Sequence, residues 1–196
     1  DFHKLSRFVN DPRKRNVSDE LKAARQFLHT LRGLFPDAAI YYLKGNHCIR
    51  LEMYLMVKAK ELLDVDEFQL ESLLQLNKLK IKIIDDKTLV KIGKLSVTHG
   101  HHVLRGIFAP VNSARGTYLR AKQSTLISHV HKVSEHTETD MDGNMVTCWS
   151  TGCLANLKPD YSPLVSNYAH GFAHVTVAKN GNYNVKNYRI NKGKIL

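Results

Sequence analysis

The sequence predicts an α/β protein built in layers, and three observations carry that expectation. Apolar residues recur at helical spacing in two early segments. Short β-favouring bursts, most of them bounded by turn residues, take over from about residue 79 onward. Helices and strands alternate in the first half and strands dominate the second, which fits a mixed sheet or two sheets flanked by helices. The 196 residues suffice for one domain with a sizeable core, and no shift of composition divides them, so a single domain over 1–196 is the expectation.

The elements follow in order. A polar, basic start ends in Asp11-Pro12-Arg13-Lys14-Arg15-Asn16 and reads as a loop. Ser18 is a candidate N-cap for a helix carrying Leu21, Ala24, Phe27, Leu28 and Leu31 on one face, with Gly33 and Pro36 ending it. Residues 38–43, with Ile40, Tyr41 and Tyr42, read as a buried strand that runs into Lys44-Gly45-Asn46-His47. A second helix places Leu51, Leu55, Ala59 and Leu62 on one face, and a short third helix is expected near 66–76. Residues 79–84, 88–92 and 95–98 read as strands punctuated by Asp85-Asp86 and Gly93-Lys94, the last ending at His99-Gly100. A helix is compatible with 113–122, and strands with 125–128, which ends at His129-Val130-His131, and with 145–150. Residues 174–178 and 183–190 flank Asn180-Gly181, a strong hairpin signal.

Composition bounds the function. Lys and Arg outnumber Asp and Glu by 29 to 18, a formal charge of +11, which favours polyanionic partners such as nucleic acid. No stretch approaches the roughly 20 apolar residues of a membrane-spanning helix. Cys48, Cys148 and Cys153 lack Cys-x-x-Cys spacing and are odd in number, against a disulfide framework or a zinc ribbon. A cytoplasmic location is the expectation.

Three polar clusters each follow the carboxyl end of an expected strand: Asn46-His47, His99, and His129 with His131. Ligands of open α/β sheets bind outside the carboxyl ends of strands. Imidazole nitrogen suits Mn, Fe, Ni or Zn, and an Asn carbonyl adds a harder ligand suited to Mn or Fe. Each histidine taken singly is more often a surface or hydrogen-bonded residue; the shared position at strand ends is what singles these out.

The ordered set Gly45-Asn46-His47, His99-Gly100 and His129-Val130-His131 resembles the calcineurin-like metallophosphoesterases. The segment from Asp1 to Phe8, Gly152-Cys153-Leu154, Pro159-Asp160-Tyr161 and Gly171-Phe172-Ala173 resemble phage-type members, so the likeness spans most of the chain. The resemblance implies a layered sandwich of mixed sheets flanked by helices, and hydrolysis of a phosphoester at two divalent ions (Mn, Fe, Ni or Zn). By position, Asn46, His99 and His129 would bind the second ion and His131 the first. His47 would be the acid at the leaving oxygen, and Arg50 a phosphate contact. The substrate would be a phosphoester, with a nucleic-acid phosphodiester favoured by the basic balance, and a phage protein would work in the host cytoplasm.

Three departures qualify that reading. The family's opening Asp-x-His and its Gly-Asp motif have no counterpart here, which implies a missing first strand, one or no ion held by this chain alone, and a sheet edge that a second copy or another chain would cover. Asp1 matches a later acid of the Gly-Asp segment. Cys48 stands where an acid usually follows His47. The alternative function is a catalytically impaired module that binds nucleic acid or protein.

Overall fold

The computed structural model describes residues 1–7, 11, 13, 16–104, 111–159 and 166–196; Phe8, the loop positions Pro12, Lys14 and Arg15, and Asp160-Tyr161 lie outside the described residues. Among the described residues, four α-helices and ten strands make a mixed α/β structure, and the chain divides into two compact units, Asp1–Asp86 and Lys87–Leu196.

In the first unit, helix α1 spans Val17–Leu34. Its N-cap is Asn16 and not Ser18: the Asn16 side chain accepts from the Asp19 amide at 2.8 Å, satisfying a donor that a helix start leaves orphaned. Gly33 lies inside the last turn and the helix ends at Phe35, just before Pro36. Strand β1 (Ile40–Leu43) pairs in parallel with β2 (Ile81–Ile84). Between them come helix α2 (Ile49–Lys58), two short 3-10 turns, Lys60–Leu62 and Asp66–Phe68, and helix α3 (Leu70–Leu73). Strand β1 is half-buried where full burial was expected, with Tyr41 60% exposed. The core gathers Phe2, Leu28, Leu70, Leu74, Leu76, Leu79 and Ile81, with Leu21, Ala24 and Leu51 packed against it. The α1 periodicity thus points Leu21, Ala24 and Leu28 inward, while Phe27 is left half in solvent.

The second unit is built on a five-stranded sheet. Its strands are β3 (Val90–Ile92), β4 (Leu95–Val97), β5 (Thr125–Ile127), β6 (Ser134–Thr139) and β7 (Met145–Ser150), in the order β3-β4-β5-β7-β6. Strands β4, β5 and β7 run parallel, and β3 and β6 close the edges antiparallel. Helix α4 (Ser113–Ala121) packs on β5, β6 and β7 through the small buried residues Ser113, Ala114, Gly116 and Thr117. A second sheet has β9 (Tyr183–Asn191) between β8 (His170–Val177) and β10 (Lys194–Ile195). The sheets bury a shared layer, with Leu95, Leu126 and Trp149 from one and Ala173, Val175, Tyr183 and Val185 from the other. The turns interlock as well: Lys94 donates its amide to Gly181 O at 2.9 Å and its Nζ to Asn182 Oδ1 at 2.8 Å.

Strand β7 carries Cys148, which is fully buried and has its Sγ 3.4 Å from Gln123 O. Burial pushes this thiol up to about 11. With the thiolate as the nucleophile, the two-unit rise alone predicts alkylation slowed on the order of 100-fold against an ordinary thiol. Timed iodoacetamide labelling of the folded chain, read by peptide mass spectrometry, should find Cys148 modified last. Labelling of Cys148 as fast as Cys153 would contradict its placement.

Candidate metal and proton-transfer residues

The parallel register of the second unit decides where two of the three polar clusters go. Ser96 and Val97 of β4 lie beside Thr125 and Leu126 of β5, so both strands end on the same edge of the sheet. The chain leaving β4 reaches His99, whose carbonyl accepts from the Ser128 amide at 3.2 Å and the His129 amide at 2.9 Å. Those bonds bring the His99 and His129 rings to 5.0 Å between centroids. Gly100 makes the turn between them: its φ is +107°, and a Cβ there would stand 2.9 Å from the Ile127 Cβ. The Gly of the His-Gly pair is therefore needed both for backbone conformation and for close approach to β5.

A third ring joins this pair. His101 lies 4.9 Å from His99 and 5.9 Å from His129 between centroids, with the Nδ1 atoms of His99 and His101 2.9 Å apart. His102 lies against His101 at 3.9 Å between centroids. Sequence reasoning passed over His101, although His99-Gly100-His101 has the same His-x-His spacing as His129-Val130-His131.

His131 leaves β5 with φ of +57°, a left-handed conformation that is uncommon outside glycine. Its amide donates to Ser128 O at 3.2 Å, its carbonyl accepts from the Ala169 amide at 2.9 Å, and its ring meets Tyr168 edge-on at 4.9 Å. The hydrogen bonds at both ends hold the backbone in that conformation.

The donor set fits a transition ion. The 2.9 Å contact between the Nδ1 atoms of His99 and His101 is a hydrogen bond, in which one ring donates and the other accepts. The three rings are half-buried.

The other polar cluster belongs to the first unit. Strand β1 ends in Lys44, whose amide donates to Ile84 O at 2.9 Å, and the chain then turns through Gly45, Asn46 and His47 into α2. Gly45 O accepts from the Cys48 amide at 2.9 Å and begins the helix. His47 Nδ1 lies 2.6 Å from Asp1 Oδ1. Arg50 Nη1 donates to the same oxygen at 2.9 Å and to Asp1 O at 3.1 Å. The guanidinium expected to contact phosphate is thus engaged in holding Asp1.

Asp1 supplies the carboxylate that the residue after His47 does not. Cys48 turns away, its Sγ 3.3 Å from the Tyr42 hydroxyl. Burial and the charge of Arg50 push His47 down to about 4. A neutral ring suits this geometry, because Nδ1–H donates to Asp1 and Nε2 is left as the acceptor. The sign for stability follows. The unfolded chain takes up a proton below about 6.5 and the folded chain resists until about 4, so the contribution is full above pH 6.5 and is lost as pH falls through 4. An NMR titration should show the His47 ring shifting near pH 4; a midpoint at 6.5 would contradict its burial.

No protein-family model, no curated protein and no solved structure matches this chain.

Proposed function

We propose that the chain is a metal-dependent phosphoester hydrolase, related to the calcineurin-like metallophosphoesterases and acting on a phosphodiester. The observation that carries this reading is the gathering of His99, His101 and His129 at the carboxyl ends of β4 and β5. His131 follows on the same loop as a further ligand. A divalent ion held there would polarise a phosphate and lower the pKa of an attacking water.

The Asp1–His47 pair supplies proton transfer. The neutral ring has Nδ1–H fixed on Asp1, so Nε2 is the atom that exchanges protons. As the resemblance implies, His47 would act as the acid at the leaving oxygen. Arg50 keeps Asp1 in place.

The test is turnover of a chromogenic phosphodiester by the purified chain with Mn²⁺. Turnover should require the metal and fall about 10²- to 10⁴-fold in His47→Ala, the usual scale for general acid–base catalysis. Turnover that ignores EDTA, or that His47→Ala leaves intact, would overturn the reading, as would no metal-dependent turnover at all.

A further inference from the structure

Helix α2 has two apolar faces, and the first unit's core uses one. Leu51 packs against that core, and Leu55 is buried. Met53, Tyr54 and Val57 recur at helical spacing on a different side, 50%, 43% and 71% exposed. They form one wall of an open cleft of about 520 Å³, within the range of about 300–1,000 Å³ common for ligand sites. The other wall is the turn after Phe2, with Lys4, Leu5, Ser6 and Arg7. Lys58 closes one end of α2, while Asn46 and Arg50 also line the cleft.

The charge of this lining is one-sided. Lys4, Arg7, Arg50 and Lys58 contribute to it, and no acidic residue is among the described residues that line it. Arg50 is offset by Asp1, and Lys4 and Lys58 add positive charge to the lining. Cations along the rim with an exposed aromatic and aliphatic wall are the two components of single-strand recognition: phosphates neutralised along the backbone, and unpaired bases laid on apolar faces. A duplex has its base faces stacked internally and gains nothing from Met53, Tyr54 and Val57.

We propose that this cleft binds a single-stranded nucleic-acid segment, with phosphates at Lys4 and Lys58 and a base on Tyr54. Because Asn46 lines the same cleft, the strand would run past a residue assigned to the chemistry; in that respect the inference rests on the proposed hydrolase and names its substrate class.

The experiment measures anisotropy of a fluorescein-labelled 12-nucleotide oligo(dT) in EDTA, across a series of salt concentrations, with the full chain. Omitting metal separates the two claims, since absent turnover sinks the hydrolase without touching binding in EDTA. The double variant Lys4→Gln/Lys58→Gln should bind about 10-fold more weakly at moderate salt, and its log–log salt slope should be shallower by about 1.4, as two lost single-strand phosphate contacts require. Tyr54→Leu should weaken binding at least about 5-fold with the slope unchanged. The exposed control pair Lys179→Gln/Lys186→Gln in the second unit should bind as the parent does. Equal losses in cleft and control variants, unchanged binding in the cleft variants, or no binding by the parent would each overturn the proposal. So would a cleft that ignores oligo(dT) yet captures an acidic amphipathic peptide, which would make it a protein-docking surface.

Discussion

Replacing His129 by alanine should lower affinity for Mn²⁺ or Ni²⁺ at least about 100-fold, beyond what loss of an outer-shell partner causes, and should abolish metal-dependent turnover. The reason is geometric. His129 is held by its own amide on the His99 carbonyl, so its ring reaches the cluster without a long flexible approach. His136→Ala is the matched control, since that ring pairs with Glu138 at 2.8 Å on edge strand β6. Calorimetric titration reads the affinity directly, and thermal unfolding reads it independently. An ion at 100 times its Kd stabilises the folded state by about 2.7 kcal/mol, so Mn²⁺ should raise the Tm of the parent and of His136→Ala but not of His129→Ala. A metal-induced rise of equal size in His129→Ala would remove His129 from the ligand set.

The largest stability effect should come from Gly152→Ala. A Cβ at Gly152 would lie 2.4 Å from Ala169 O, 2.6 Å from the Gly171 amide nitrogen and 2.7 Å from His170 C. All three are backbone atoms, so no side chain can swing away. The strands there are tied by Cys153 N to Ala169 O at 2.9 Å and Gly171 N to Cys153 O at 3.2 Å. Accommodating the methyl must break those bonds or move the start of β8, with a cost of about 3 kcal/mol, at the upper end of overpacking. For a unit of this size that is a fall in Tm of at least about 10 °C. Because Ala169 also donates to His131 O, the variant should weaken metal binding as well. A Tm within a degree or two of the parent would show that the strands separate more easily than their hydrogen bonds imply.

What the sequence made legible follows from how each element is stabilised. Strand β7 was readable to the residue, since Met145–Ser150 combines an apolar run with β-favouring Val, Thr and Trp. Strand β6 was not seen: Ser134–Thr139 reads Ser-Glu-His-Thr-Glu-Thr and is held by antiparallel pairing to β7 rather than by burial of its own. Its only local signal is the turn that follows, where Asp140 Oδ1 accepts from the amides of Asp142 and Asn144. The histidines at strand ends were visible because motif spacing marks them. Asp1 as the partner of His47 was not, because 45 intervening residues separate two positions that only the folded first unit brings together. His101 had a spacing signal that was outweighed by its neighbour His99. Arg50 shows how residue type misleads, since a guanidinium suited to phosphate here serves a carboxylate of its own chain.

The shared layer between the two sheets has a consequence for how the second unit is made. Leu95, Leu126 and Trp149 are all synthesised before the strands that cover them, and Val175, Tyr183 and Val185 come last. The clasp from Lys94 to Gly181 and Asn182 joins positions almost ninety residues apart, so it closes late and slowly. While the chain is still emerging from the ribosome, the parallel strands β4, β5 and β7 must therefore present an uncovered apolar face. That interval, rather than any weakness of the finished fold, is when this unit is most exposed to aggregation and most in need of a chaperone.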